Sequence, residues 1–216
     1  MPDWQRLRGK FIVVDGGEGC GKSTQARKLV HFLQDQQGLP VTLVRDPGTT
    51  DIGEKIRAIL LDPANTDMAM RCEMLLYMAA RSQMMAQMIR PALERGEVVL
   101  CDRFVSSTLA YQLGGDGLTE HDIRAVAEIA LRGRWPDLTV VFDMPVERSI
   151  ARVKRVKDRI EQRPPEYHEQ VRQNYLRQAR SDPRWYRLVD ADRSPEDVHE
   201  DVWKLVSSLA SEGEAR

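Results

Sequence analysis

An apolar run, Phe11-Ile12-Val13-Val14, leads straight into Gly16-Gly17-Glu18-Gly19-Cys20-Gly21-Lys22-Ser23, which fits the pattern G-x-x-x-x-G-K-[ST]. No other segment constrains the fold as strongly. The glycines let the backbone fold back so that its N–H groups converge on one cavity, and the helix opening at Gly21 adds its positive N-terminal end. An anion of several charges belongs there. Lys22 can reach β- and γ-phosphates as a point charge, and the Ser23 hydroxyl is placed to ligate the Mg²⁺ that such phosphates carry. The plain alternative is an ordinary Gly-rich turn between a strand and a helix. Against it, Ala26, Leu29, Val30 and Leu33 follow at helical spacing.

The same alternation continues along the chain. Strands are expected at Lys10 to Asp15, Pro40 to Arg45, Glu97 to Asp102, Asp137 to Asp143 and Trp185 to Val189. Helices are expected from Gly21 to about Asp35, Ile52 to Leu61, Arg71 to Glu94, Ser106 to Gln112, Glu120 to Leu131, Val146 to Val156, Glu166 to Ser181 and Pro195 to Leu209. Apolar strands separated by helices imply a parallel sheet covered on both faces, with ligand at the carboxyl ends of the strands. The expected class is therefore α/β: a three-layer phosphate-loop NTPase fold with a five-stranded parallel sheet flanked by helices. With 216 residues and no repeat or low-complexity linker, a single domain over 1–216 is expected. Gly114-Gly115-Asp116-Gly117 reads as a flexible turn, and Lys154 to Pro165 as a mobile surface loop, part of a short flap at about 152–165.

Composition narrows the partners. Hydrophobic residues are 42% and charged residues 30%, as in a globular chain, and a formal net charge of −1 argues against a general nucleic-acid partner. The first ten residues lack the apolar stretch of a signal peptide, and no run approaches a membrane span, so a cytoplasmic protein is expected. Cys20, Cys72 and Cys101 have no C-x-x-C spacing and read as reduced thiols, with Cys72 and Cys101 as packing residues. Cys20, near a helix N-terminus, is a thiol whose modification would block nucleotide. Met68, Met70, Met74, Met78, Met84, Met85 and Met88 read as helix core or an oligomer face.

Three strand ends carry charge into one crevice: Arg45-Asp46, Asp102-Arg103 and Asp143. Asp102 and Asp143 each close an apolar strand in the manner of a Mg²⁺-holding carboxylate, and either could instead cap a helix. Asp102 is preferred because Arg103 beside it adds a phosphate-facing cation. Arg152, Lys154, Arg155, Lys157, Arg159 and Arg163 form the densest basic segment, either a solvated face or a closing flap of cations. Phosphoryl transfer favours the flap, because the phosphate loop has Cys20 where an arginine would serve.

The ordered set of motifs resembles the bacterial thymidylate kinases, phosphate-loop nucleoside monophosphate kinases. It comprises Asp15 to Thr24, Arg45-Asp46-Pro47-Gly48-Thr49-Thr50, Ala79-Ala80-Arg81, Asp102-Arg103-Phe104 with Ser107 to Gln112, Asp158-Arg159-Ile160-Glu161 and Val171 to Leu176. The resemblance implies Mg²⁺-dependent transfer of the ATP γ-phosphoryl group to dTMP, giving dTDP and ADP, by a homodimeric enzyme. It implies that Gly16 to Thr24 hold ATP, with Lys22 catalytic and Ser23 and Asp102 on the metal. Glu18 would face the acceptor sugar, and Arg45 and Arg103 the acceptor phosphate, beside Asp46. Tyr77 would stack on the base, Arg81 would bond its carbonyl edge, and Thr108 and Gln112 would line its pocket. Tyr111 would crowd the 2′ position. Arg152, Arg155 and Arg159 would supply cations to the transition state.

The chain departs from the family pattern in three places. Asp46-Pro47-Gly48-Thr49 stands for Glu-Pro-Gly-Gly, Asp116 stands near where an arginine is usual, and the flap is about two residues shorter. Two other readings follow from the same residues: a kinase for another or modified deoxynucleoside monophosphate, and a nucleotide-binding regulator with Asp116 marking a decayed acceptor site.

Overall fold

The computed structural model of the chain describes residues 2–153 and 157–211. Five strands, β1 (Phe11–Gly16), β2 (Val41–Arg45), β3 (Val98–Asp102), β4 (Leu138–Asp143) and β5 (Tyr186–Asp190), form one sheet in the order β2-β3-β1-β4-β5. Every neighbouring pair is parallel, with Val14 opposite Asp102 on one side and Val140 on the other. Each strand lies within one residue of its expected bounds. β1 is buried along its whole length because it sits in the middle of the sheet, with the apolar Phe11 to Val14 packed on both faces and Asp15 held by hydrogen bonds at its end.

Strand periodicity divides the core into two layers. Ile12 and Val14 point to one face, where α1 (Lys22–His31) and the last helix contribute Ala26, Leu29, Val198, Val202 and Val206. Phe11 and Val13 point to the other, where Met74, Met78 and Met84 of α3 (Met70–Met84) pack. α2 (Asp51–Leu61), α4 (Arg90–Glu94), α5 (Val105–Tyr111), α6 (Glu120–Leu131), α7 (Val146–Ala151), α8 (Pro165–Ser181) and α9 (Pro195–Ser211) complete the helices. The result is the three-layer α/β arrangement expected of the sequence. Among the described residues no helix is long and apolar enough to cross a membrane.

Three segments differ from expectation. The helix expected over Arg71 to Glu94 widens into a π-helical turn at Met85–Ile89 before α4. Pro91 lies just beyond, and its missing N–H and bulky ring rule out the regular bond to the carbonyl of Gln87. The helix expected to reach Val156 ends as α7 at Ala151, with Arg152 as its C-cap donating to Ile150 and Ser149 carbonyls. The basic stretch then departs from a simple surface loop: Arg159, Ile160 and Glu161 are buried. The Asp158 carboxylate accepts the N–H groups of Ile160 and Glu161, closing a turn that drops Ile160 against Tyr111 and Tyr175.

Candidate active site

The phosphate loop runs from β1 into α1 with Gly16, Gly19 and Gly21 all at positive φ, as its sharp reversal demands. A Cβ on Gly16 would lie 2.5 Å from the Phe142 carbonyl, and one on Gly19 would fall on the carbonyl of Ser149 in α7. The loop is thus gripped by the sheet below and α7 beside it. Lys22 is buried and its Nζ donates to the carbonyls of Gly16 and Gly17, so the charge is held inside the loop.

At the first turn of α1 the Ser23 hydroxyl donates to Asp102 Oδ2 at 2.6 Å. β1 and β3 are neighbours, which is why residues 79 apart in sequence meet. Asp143 is otherwise engaged: Arg172 of α8 grips both its oxygens at 2.7 and 3.0 Å. The hydroxyl and carboxylate of Ser23 and Asp102 are hard oxygen donors suited to Mg²⁺, which takes few protein ligands and fills its shell with water and phosphate. No group of three or more His, Cys, Asp or Glu side chains able to hold a metal occurs among the described residues.

Arg103 follows β3 in the left-handed region, φ 70°, an uncommon backbone state for a residue with a long side chain. Its Nη1 donates to the Gly16 carbonyl at 2.9 Å and Ser107 Oγ at 3.1 Å, while Nη2 meets Glu18 and approaches the Tyr111 hydroxyl at 3.4 Å. Burial opposes the Arg103 charge, but Glu18 and Asp15, among the groups around it, outweigh that and hold it firmly protonated. Beneath it lies Asp15, fully buried, which accepts from Ser106, Ser107 and Tyr175 and pairs with Arg103 at 3.4 Å. Nothing in the local sequence of Asp15 marks this role; its partners lie 88 to 160 positions away.

The wall opposite the phosphate loop comes from α3 and α5. Glu73, Tyr77 and Arg81 fall on one stripe of α3 at i, i+4 and i+8. Arg81 is fully buried: Nε donates to Asp46 at 2.6 Å, Nη1 to Thr108 at 2.7 Å, and Nη2 to the Phe104 carbonyl at 2.8 Å. Its guanidinium lies 5.6 Å from the Tyr77 ring centroid. Burial raises the Asp46 carboxyl, Arg81 opposes it, and Asp46 Oδ1 is left without a partner. Burial also pushes the Tyr77 and Tyr111 phenols up.

These parts surround one cleft of about 670 Å³. It brings together Glu18, Gly19, Gly21, Lys22, Ser23 and Thr24 of the loop with Arg45, Asp46, Asp102 and Arg103 at strand ends. Tyr77, Arg81, Thr108, Tyr111 and Gln112 line the other side, and Arg152 stands exposed at the rim. Gly17 and Cys20 line a small adjoining cavity, and Gly16 takes part through its carbonyl. Arg159 is not brought to the cleft: it turns inward to Glu73 at 2.5 Å and to the Leu60 carbonyl at 2.8 Å. Arg155 and Lys154 lie outside the described residues. Arg57 of α2, not singled out in the sequence, lines the cleft and donates to the Pro47 carbonyl at 3.0 Å. Its i+3 spacing from Glu54 offered no signal, since only the fold carries it over the 46–50 loop.

Two departures from the family pattern resolve locally. Thr49 adopts φ 68° where glycine is usual, and its hydroxyl accepts from the Arg45 N–H at 2.8 Å and donates to the Arg45 carbonyl at 3.0 Å, tying down the loop. Asp116 faces away from the cleft: Oδ2 accepts the Met70 N–H at 2.7 Å, capping α3, whose own N-cap Ala69 has no side chain to do so. Of the cysteines, Cys101 is buried as expected, but Cys72 is exposed on α3 rather than packed. Cys20 is buried, its thiol donating to the Gly17 carbonyl at 3.0 Å.

The chain is similar to known proteins over nearly its whole length. A family model described as thymidylate kinase matches residues 14–202. A thymidylate kinase of Symbiobacterium thermophilum is 45% identical over 200 residues, 92% of this chain and 93% of the relative. One of Pseudomonas syringae pv. tomato is 45% identical over 205 residues, 94% and 97% of the two chains. A crystal structure of thymidylate kinase from Ehrlichia chaffeensis superposes with a TM-score of 0.76 at 27% identity, covering 92% of this chain and 98% of that one. With the phosphate loop, the charges of Arg45, Asp46, Asp102 and Arg103 at strand ends, and Tyr77 and Arg81 of α3 in one cleft, the chain belongs to the thymidylate kinase family.

Proposed function

We propose that the chain transfers the γ-phosphoryl group of ATP to dTMP, giving dTDP and ADP. One observation carries this reading: a single cleft joins the Lys22–Ser23–Asp102 end of the phosphate loop to a pocket with Tyr77, Arg81, Thr108 and Gln112 on its far wall. The donor and acceptor therefore face each other across Arg103.

A phosphate monoester acceptor carries about two negative charges near neutral pH, so no general base is needed and the work is electrostatic positioning. Arg103 sits between the loop and Tyr111, placed to neutralise the approaching phosphates; Arg45 and Arg57 on the acceptor side hold the monophosphate. Ser23 and Asp102 would hold Mg²⁺, which supplies charge neutralisation to the β- and γ-phosphates. Lys22 would leave its loop carbonyls for phosphate oxygens. Arg152 at the rim is positioned to add a further cation, and Arg155 is assigned the same role. Arg159 would act there only by leaving Glu73. Glu18, bonded to Arg103, faces the acceptor sugar, and Tyr111 crowds its 2′ position. On Arg81, Asp46 and Thr108 fix the fork, and one Nη2 hydrogen remains for a base carbonyl. Asp46 acts here through Arg81.

The remaining assignments are a single nucleoside monophosphate kinase domain over 1–216, a cytoplasmic location, no nucleic-acid or membrane partner, and a homodimer. Ile52 and Ile59 of α2, Leu75 of α3 and Ile129 of α6 are exposed apolar side chains that support a shared face. Of the methionines, Met74, Met78, Met84 and Met85 lie in the core and are withheld from it. A coupled assay tests the activity: ADP release that requires dTMP and Mg²⁺ is expected, and ATP binding without dTMP-dependent turnover would refute it.

A further inference from the structure

Glu73 is a fully buried carboxylate that does not line the cleft, yet it is among the most heavily engaged groups near it. Oε2 receives Arg159 at 2.5 Å and Arg163 at 2.9 Å. Oε1 receives the Gln112 side-chain amide, Nε2 at 2.7 Å. Three segments meet on this one group: α3, the end of α5 and the turn that closes the flap.

The chemistry of the pair fixes a direction. A carboxylate flanked by two guanidinium groups can only accept, so the Gln112 amide must turn its NH₂ toward Glu73. Its Oε1 is then set on the opposite side. Gln112 lines the cleft, and its Oε1 accepts no hydrogen bond from any of the described residues. A flipped amide would set carbonyl oxygen against the oxygen of a fully buried carboxylate. Two arginines on Oε2 keep Oε1 free for the amide and so reinforce the choice.

We infer that Glu73 is a positioning residue for base selectivity: it locks Gln112 as a hydrogen-bond acceptor in the pocket. An acceptor there favours a pyrimidine whose ring nitrogen bears a hydrogen, as in thymine or uracil, and opposes cytosine, whose ring nitrogen is itself an acceptor. This rests on the reading that the cleft takes a pyrimidine monophosphate. Glu73 touches no substrate; it acts through Gln112, with Arg159 and Arg163 as its counterions.

The test is the ratio of kcat/KM for dTMP to that for dCMP in the wild type, Glu73→Gln and Glu73→Asp. A glutamine at 73 can offer Gln112 either end of an amide, and an aspartate withdraws the carboxylate by one methylene while keeping its charge. The ratio is expected to fall by about tenfold or more in each folded variant, through KM more than kcat. A variant that loses both activities in proportion, with the ratio unchanged, would show a merely structural Glu73 and overturn the inference. A wild type that uses dTMP and dCMP equally well would overturn it without touching the kinase reading. A wild type with no dTMP-dependent turnover would remove both.

Discussion

Arg103 shows how far a single side chain depends on distant ones. Its left-handed backbone and its contacts with Glu18, Asp15, Ser107 and Tyr111 hold one guanidinium between the two ends of the cleft. Replacing it by lysine keeps a charge but loses the fork, so kcat/KM for dTMP should fall about 10²- to 10³-fold, measured by coupled ADP release. Asp116 makes the contrasting case. Because it caps α3 and faces away from the cleft, Asp116→Ala should cost about 1 kcal/mol in chemical denaturation and leave kcat/KM unchanged. Lys22, Ser23, Asp102 and Arg103 were legible in the sequence because each sits in a contiguous motif or at a strand end. Arg57 and Glu73 were not, and Asp15, although it opens the phosphate-loop motif, carried no sign of its role, because the meaning of all three lies in partners brought by the fold, such as Arg159 reaching Glu73 across 86 positions.

At the scale of elements, the phosphate loop and α7 are a packed pair. A methyl at Gly19 would collide with the Ser149 carbonyl and would force a left-handed φ on an alanine. Gly19→Ala should therefore lower stability by about 1–3 kcal/mol and reduce kcat/KM for ATP more than tenfold, read by denaturation and steady-state kinetics. The start of α8 carries a pH dependence. Burial holds the His168 imidazole below its ordinary value of 6.5, against opposing hydrogen bonds to the backbone of Glu161 and Arg163, which accept, and its Nε2 has no partner. Folding favours the neutral ring, so this contribution is complete above pH 6.5 and is lost as pH falls from there through the folded value. The melting temperature should drop between about pH 7 and pH 5, and drop less in His168→Gln. His199 shifts the same way and would leave a residual slope. Helix bounds that the hydrophobic period misjudged have local causes: Pro91 behind the widened turn, and the Asp158 turn that takes the chain inward after α7. No periodicity reports a side-chain cap or a buried ion pair.

Across the whole molecule, the parallel order β2-β3-β1-β4-β5 delivers the C-terminal ends of β1, β2 and β3 to one crevice, and the helices on either face lend it the phosphate loop and the α3 stripe. That architecture was readable from apolar strands alternating with helical segments, since a parallel sheet has few other ways to bury them. What the whole fold adds is the pairing of Ser23 with Asp102 rather than with Asp143, and of the later basic residues with Glu73 rather than with the cleft. Phosphorylation of dTMP in this cleft is tested by kcat/KM measured with ATP and Mg²⁺ for dTMP, dUMP, dCMP and dGMP side by side. dTMP is expected first, with dUMP lower by about 10- to 200-fold for the missing methyl group and dCMP and dGMP lower still. A preference for any other acceptor would contradict it.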